Sequence, residues 1–128
     1  MIEFFSVVNK IFAISIGIWS IEIQSNLPPD DALGDLNENA TIYFHKLGTD
    51  QSQDKVVFKR ADQPRWGFGA GVTEDGRWLL ISGSEGTARK NRLWVKDLEE
   101  GGNFLPIYTD FDAQYSVIGS DDETLFIR

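Results

Sequence analysis

The sequence predicts an all-β fold, a partial β-propeller of about two four-stranded antiparallel blades behind a poorly defined N-terminal leader. Three observations favour this fold. Short apolar runs alternate with turn residues after residue 40, no helical periodicity longer than two turns occurs there, and strand patterns recur with a period near fifty residues. Among repeat architectures, this period is typical of propeller blades. A β-sandwich of the same eight strands is the competing fold, and it does not require the repeat.

The middle of the chain gives the clearest strand signals. Residues 66–73 are apolar with interleaved glycines, Glu74-Asp75-Gly76 is a turn tripeptide, and the apolar pattern resumes over residues 77–82. The Asp-Gly pair provides the backbone freedom that a tight hairpin turn requires. After a polar loop at 84–90, another strand is predicted over 91–98. The segment is therefore predicted to be an antiparallel meander of three strands.

Further strands and an internal repeat surround this meander. The other predicted strands cover residues 41–47, 55–59, 103–109, 113–119 and 124–128. Residues 42–47 resemble residues 93–98 at an offset of 51, and residues 75–81 resemble residues 121–127 at an offset of 46. The eight strands therefore indicate two copies of a four-stranded unit.

The leader, residues 1–24, differs in composition from the rest of the chain. As a secretory signal it has an apolar core, but a single basic residue and no clear cleavage site. As a membrane span it is short, because Glu22 interrupts it. As a strand, the alternation of Ile14, Ile16 and Ile18 with small residues would bury one face. A non-native start of the chain is the remaining interpretation.

A linker is predicted over residues 25–40, where prolines, turn residues and acidic residues leave little to bury. Residues 41–128 follow as one domain, since 128 residues suit a single domain of ordinary size. A hydrophobic fraction of 41% and an aromatic fraction of 12% supply a packed core.

Charge and composition exclude several classes of function. The net charge of −8 argues against a nucleic-acid partner, because binding to phosphates needs concentrated lysine and arginine. The basic run from Arg89 to Arg92 is interpreted as a solvated loop. The absence of cysteine excludes disulfides, thiolate metal sites and a cysteine nucleophile.

Two patterns that suggest ligand sites are better explained by turns and packing. Asp110 and Asp112 flank Phe111, but no third carboxylate follows at the spacing of a cation-binding loop, so a turn is predicted. The glycine run at 67–71 lacks the following helix and the Lys-Ser/Thr pair of a phosphate-binding loop. We therefore expect no metal and no cofactor.

Six motifs, taken in order, resemble one known family. They are FHKLGTDQSQD at 44–54, WGFGA at 66–70, VTEDGRWL at 72–79, SEGT at 84–87, KNRLW at 90–94 and TDFD at 109–112. Together they resemble the N-terminal propeller of prolyl oligopeptidases, serine peptidases that cleave short peptides after proline. The resemblance runs from about Asn39 to Arg128 and does not include the leader.

The resemblance implies a seven-bladed propeller that caps an α/β-hydrolase domain, which supplies the catalytic Ser, Asp and His. No Gly-x-Ser-x-Gly elbow occurs in this sequence, and Gly83-Ser84-Glu85-Gly86 has the wrong spacing. The single histidine, His45, alternates with Tyr43 and Leu47 on a strand and is predicted to be structural. No catalytic residue is therefore assigned.

The resemblance also suggests two substrate-facing positions, Gly67 and Thr87. In the family, the equivalent positions face the cavity between the propeller and the hydrolase domain. The alternative is that both are turn or strand residues without ligand contact. Ala88-Arg89 departs from the Asp-Pro that relatives tend to have, and the loop therefore lacks the fixed φ of proline.

The predicted function is that of a truncated propeller segment of a prolyl oligopeptidase-like serine endopeptidase, which gates peptide access in the parent enzyme and is non-catalytic alone. The implied partners are an α/β-hydrolase peptidase domain and short proline-containing peptides. A small all-β binding or interaction module is the alternative. We expect a cytoplasmic location, or a periplasmic or secreted one if residues 1–24 act as a signal. Open blade edges predict a partly folded or aggregation-prone chain.

Overall fold

The computed structural model of the chain describes residues 10–16, 19–26, 38–46 and 48–128. Ile18 and most of the predicted linker, residues 27–37, lie outside the described residues. The chain divides into two compact units, Met1–Phe68 and Gly69–Arg128. Among the described residues, no helix is long and apolar enough to cross a membrane.

The first unit contains a four-stranded antiparallel sheet. Its strands neighbour one another in chain order and are β1 (Lys10–Ile16), β2 (Trp19–Asn26), β3 (Glu38–Lys46) and β4 (Lys55–Lys59). Ile14 and Ile16 lie in β1. Ile42, in the middle of β3, is fully buried. The central position of β3 pairs its backbone on both edges, and the Ile42 side chain lies on a covered face of the sheet.

A second four-stranded sheet follows, again in chain order. Its strands are β5 (Trp66–Val72), β6 (Trp78–Glu85), β7 (Arg92–Asp97) and β8 (Leu105–Tyr108). Leu79 and Ile81 of β6 are fully buried and alternate with less buried residues, as the two-residue period of a strand requires. In β7, Leu93, Trp94 and Val95 are buried in succession, so both faces of this strand are covered.

β8 is the outer strand of the second sheet and pairs with β7. Leu105 is 58% exposed and Ile107 is 41% exposed, with Pro106 between them. The register of the pairing shifts between Leu93 and Trp94. This edge of the sheet therefore carries apolar side chains at the surface.

The chain ends in a two-stranded hairpin of β9 (Val117–Asp121) and β10 (Thr124–Ile127). Its turn passes through Asp122, whose φ of 48° lies in the left-handed region. Neither strand contains a buried residue. Ile118 and Phe126 are 63% and 49% exposed. The hairpin thus contributes little to the apolar core.

The all-β prediction is confirmed, and so is the meander around the Asp-Gly turn, which becomes β5, β6 and β7. The repeat is confirmed as well, because residues 42–46 lie in β3 and residues 93–97 lie in β7, each the third strand of a four-stranded sheet. The allocation of strands to sheets differs from the prediction. β1 and β2 complete the first sheet, which leaves β9 and β10 as a separate hairpin.

Candidate functional site

Gly67 lies on the exposed face of β5, in the first unit. Its neighbours Trp66 and Phe68 are 5% and 9% exposed and point to the opposite face, because side chains alternate along a strand. The guanidinium of Arg60 lies 5.1 Å from the centre of the Trp66 ring. Phe68 packs edge-to-face on Phe58 at 5.2 Å between ring centres. These two anchored aromatic residues fix Gly67 at the surface.

Thr87 lies in the second unit, in the turn that follows β6. The Ala88 N–H donates to the Glu85 carbonyl at 3.2 Å and closes this turn. Gly86 has a φ of +57°, a conformation that glycine adopts without steric cost. Thr87 is exposed. Its hydroxyl is therefore presented at the surface by a turn whose shape depends on the glycine before it.

His45 is paired with a buried carboxylate. Its Nδ1 lies 2.6 Å from Oδ1 of Asp54, whose side chain is only 3% exposed. The pair joins the end of β3 to the residue that precedes β4, across the 3₁₀ helix Gln51–Gln53. Asp50 caps that helix by accepting from the Ser52 N–H at 2.8 Å. The arrangement gives His45 a positioning role in this connection.

The Asp110–Asp112 loop is held by its own aromatic neighbours. The Tyr115 hydroxyl donates to Oδ1 of Asp112 at 2.9 Å, and this bond, aided by burial, raises the pKa of Tyr115. The Tyr115 ring stacks on Tyr108 with 3.6 Å between ring centres. The guanidinium of Arg92 lies 3.9 Å from the centre of the Phe111 ring. In the part of the chain that the structure describes, no group of three or more His, Asp or Glu side chains is arranged to hold a metal.

Arg77 is the centre of a charged cluster that the motifs did not reveal. Arg77 is only 8% exposed. Nε and Nη2 donate to Oδ2 of Asp97 at 3.1 and 2.9 Å, and Nη1 donates to Oδ1 of Asp122 at 2.8 Å. Glu99 and Glu123 lie at 4.0 and 3.9 Å from the guanidinium. The hydrogen bonds to Asp97 raise the pKa of Arg77.

Two carboxylates around Arg77 are held in their charged forms. Burial acts to raise the pKa of Asp97, but hydrogen bonds from Arg77 and from the N–H groups of Glu100 and Glu99 outweigh it, so this pKa is lowered. The pKa of Asp75 is lowered mainly by the hydroxyl of Thr73, and the Arg77 N–H also contributes. Both groups therefore favour ionisation in the folded protein.

Asn91 is the second buried polar anchor, at 7% exposure. Its Nδ2 donates to Ser82 Oγ at 2.9 Å and to the Tyr115 carbonyl at 3.0 Å, while its Oδ1 accepts from the Tyr115 N–H at 2.6 Å. The Asn91 N–H donates to the Ala113 carbonyl at 3.1 Å. Asn91 thus ties the start of β7 to the segment that enters β9.

A cleft of about 620 Å³ lies in the second unit, beside the tip of the β9–β10 hairpin. Its walls include Val72, Asp75, Leu80, Val117, Ile118 and Ser120. A second cleft of about 340 Å³ shares Leu80 and Val117 with the first and extends along Gly69 and Gly71. The space between the sheet and the hairpin is therefore incompletely filled.

Comparison with known proteins shows which family the chain is similar to. Residues 24–128 match the family model described as the prolyl oligopeptidase N-terminal beta-propeller domain. The chain belongs to this family. The resemblance carried by the six motifs is thereby confirmed.

Relatives in this family are similar over most of the chain. Prolyl oligopeptidase A from Amanita bisporigera is 42% identical over an aligned length of 97 residues, and the match covers 72% of this chain and 13% of the relative. Prolyl endopeptidase from Elizabethkingia meningoseptica is 40% identical over 95 residues, which are 74% of this chain and 13% of the relative. The chain thus spans about one eighth of the length of these family members.

The same family is found among solved structures. Prolyl oligopeptidase B from Galerina marginata, bound to a 35mer hydrolysis and macrocyclization substrate, superposes with a TM-score of 0.74 at 26% identity. The match covers 86% of this chain and 16% of that chain. The β-propeller architecture predicted from the strand repeat is therefore confirmed as a segment of the family's propeller.

Proposed function

We propose that the chain forms part of the propeller wall of a prolyl oligopeptidase-like serine endopeptidase, where it gates peptide access, and that it is non-catalytic alone. The match of residues 24–128 to the family's propeller domain is the observation that carries this proposal. The implied partners are the α/β-hydrolase domain of the parent enzyme and short proline-containing peptides.

The local chemistry supports the non-catalytic part of the proposal. The sequence holds no Gly-x-Ser-x-Gly elbow, and its single histidine is His45. The Nδ1 of His45 contacts the buried carboxylate of Asp54, which lies on the connection between β3 and β4. A triad histidine makes such a carboxylate contact too, so the expectation rests on the missing elbow, which would supply the nucleophilic serine. We expect the isolated chain to hydrolyse a fluorogenic Gly-Pro peptide at the background rate, and turnover above that rate would overturn this part.

The surface positions of Gly67 and Thr87 support the gating part. Gly67 presents no side chain on the exposed face of β5, and Thr87 presents a small hydroxyl at a turn. Each position, taken by itself, leaves room for a peptide backbone beside it. We propose that these two positions face the substrate in the parent enzyme.

A chimeric enzyme tests the gating role. The matched segment of the Amanita bisporigera relative would be replaced by the corresponding residues of this chain. We expect the chimera to cleave a fluorogenic Gly-Pro peptide. Gly67→Trp should then lower its kcat/KM by about ten-fold or more, within the range that one misplaced group costs in a binding pocket.

A second test replaces two threonines by valine, one at the proposed position and one as a matched control. Thr87→Val removes the hydroxyl at this proposed substrate-facing position, whereas Thr124→Val makes the same change at an exposed position in β10. We expect only Thr87→Val to change KM. If the chimera is active and neither Gly67→Trp nor Thr87→Val changes its kcat/KM, the substrate-facing assignment is refuted. A chimera that folds without activity would instead support the alternative of a binding module.

A further inference from the structure

The turn between β5 and β6 contains the single Asp-Gly sequence of the chain, Asp75-Gly76. In such a pair the glycine nitrogen is accessible to the side chain before it, because glycine has no Cβ to hinder the approach. When the backbone around it is free to move, the Gly76 nitrogen can attack the carboxyl carbon of Asp75. The turn therefore carries the groups for a spontaneous rearrangement of the backbone.

This rearrangement needs no reactant other than water. The Gly76 nitrogen forms a bond to Cγ of Asp75, while the amide proton and the carboxyl hydroxyl leave together as water. The cyclic succinimide that results is then opened by water. Addition of water at Cγ restores aspartate, whereas addition at the backbone carbonyl of Asp75 gives isoaspartate, in which the chain continues through the side chain. The mass of the protein is unchanged.

In the folded turn, the attacking nitrogen is engaged in a hydrogen bond. The Gly76 N–H donates to the Thr73 carbonyl at 2.8 Å and closes the turn. The Thr73 N–H donates in turn to the Trp78 carbonyl at 3.0 Å, which joins the two strands beside the turn. A bond from the N–H stabilises the protonated amide, so the nitrogen loses its proton less readily.

The carboxylate of Asp75 is also held. Its Oδ1 accepts from the Thr73 hydroxyl and, at 3.1 Å, from the Arg77 N–H. Attack on Cγ requires the carboxyl group to rotate toward the Gly76 nitrogen, and both bonds oppose this rotation. The Thr73 hydroxyl and then the Arg77 N–H also lower the pKa of Asp75, and an ionised carboxylate lacks the hydroxyl that must leave.

Thr73 provides most of these restraints. Its carbonyl holds the Gly76 N–H, and its hydroxyl donates to Asp75 and accepts from the Trp78 N–H at 3.1 Å. All of these partners lie within residues 73–78, so the restraint is a property of the β5–β6 hairpin itself.

We propose that Asp75-Gly76 is a conformation-gated modification site, at which isoaspartate forms when the β5–β6 turn opens and the Thr73 hydroxyl keeps the folded turn unreactive. Isoaspartate places an extra carbon atom in the backbone of the turn. Because loop length selects the type of hairpin turn, a chain modified while open would not restore the present hydrogen bonds on refolding. The site does not depend on the peptidase function proposed above.

Incubation of the full 128-residue chain at neutral pH, in buffer and in guanidinium chloride, tests the gating. Trypsin releases residues 66–77 as one peptide, in which electron-transfer dissociation distinguishes isoaspartate from aspartate. We expect isoaspartate to accumulate about ten-fold or more faster in the denaturant. In buffer the turn must first lose at least two hydrogen bonds, each of which corresponds to a factor of about five.

Replacement of Thr73 separates the hydroxyl from the rest of the turn. In buffer, Thr73→Val should raise the rate about five-fold, the factor that corresponds to one typical hydrogen bond. Thr73→Ser keeps the hydroxyl and should restore the slow rate. Thr124→Val is the matched control, because it makes the same change in β10, outside the turn. In guanidinium chloride, all of these chains should react at the same rate.

Asn91→Ala distinguishes opening of the turn from unfolding of the whole unit. It removes hydrogen bonds to Ser82 and Tyr115 and leaves the contacts of the turn intact, so it should raise the rate less than Thr73→Val does.

Two results would overturn the proposal. Equal rates in buffer and in denaturant would show that the turn gives no protection, and this comparison needs only the unmodified chain, even if Thr73→Val does not fold. If Thr73→Val reacts no faster than Thr124→Val, or more slowly than Asn91→Ala, the Thr73 hydroxyl does not control the reaction.

Discussion

Replacement of Asn91 by alanine should destabilise the second unit strongly. Asn91 is 7% exposed, and its side chain makes three hydrogen bonds, two with the backbone of Tyr115 and one with Ser82. A typical intramolecular hydrogen bond contributes about 1 kcal/mol to stability. Loss of all three therefore predicts a decrease of about 3 kcal/mol in the free energy of unfolding, and more if the Tyr115 groups stay buried without water. For a domain with a total stability of about 5–15 kcal/mol, this is a large share.

The measurement is urea-induced unfolding followed by tryptophan fluorescence, with Asn103→Ala as the matched control. Asn103 is exposed, so its replacement should change the free energy of unfolding by less than about 0.5 kcal/mol. Asn91→Asp keeps the acceptor for the Tyr115 N–H but cannot donate to the Tyr115 carbonyl, and it places a buried carboxylate oxygen against that carbonyl oxygen. Because a buried charge without a partner is costly, Asn91→Asp should destabilise the protein at least as much as Asn91→Ala. The reasoning is refuted if Asn91→Ala costs no more than Asn103→Ala.

Two further predictions concern a turn glycine and acid stability. Gly76 has a φ of +76°, so Gly76→Ala should lower the free energy of unfolding by about 1 kcal/mol or more. Gly71→Ala is the control and should be tolerated, because its added Cβ meets no described atom within 4 Å. Equal effects of the two substitutions on urea-induced unfolding would contradict this. The pKa values of Asp75 and Asp97 are lowered from 3.8, so their contribution to stability is complete above that value and is lost as the pH falls through the lowered pKa values. Unfolding curves between pH 5 and 2 should show a smaller acid-induced loss for Asp75→Asn than for the unmodified protein, and an unchanged loss would contradict the assignment.

The strands of the second sheet could be predicted from sequence because local patterns determine them. Buried and less buried residues alternate around Leu79 and Ile81, and the Asp75-Gly76 turn precedes them. Both signals are contained within a few consecutive residues. The strands β1 and β2 were harder to assign, since an unbroken apolar run is also typical of a signal or a membrane segment. Their pairing with β3 depends on distant residues, which no local pattern specifies.

The charged cluster and the Asn91 anchor could not be predicted, because their partners are distant in sequence. Arg77 contacts Asp97 and Asp122, 20 and 45 positions away, and Asn91 contacts Tyr115, 24 positions away. The available signals were an arginine directly after the Asp-Gly turn and acidic residues in two later turns. They identify charges but not which charges meet. The substrate-facing roles of Gly67 and Thr87 stay predictions.

Pro106 has a consequence for how copies of this chain can associate. An outer strand with apolar side chains is a template to which another chain can add a strand, and β8 carries the exposed Leu105 and Ile107. Proline has no N–H, so an added strand would find a missing donor in the middle of this four-residue strand. The shifted register beside it further disturbs the regular spacing of hydrogen bonds. Strand-by-strand growth of a fibril from β8 is thus disfavoured, and replacement of Pro106 by valine should promote it.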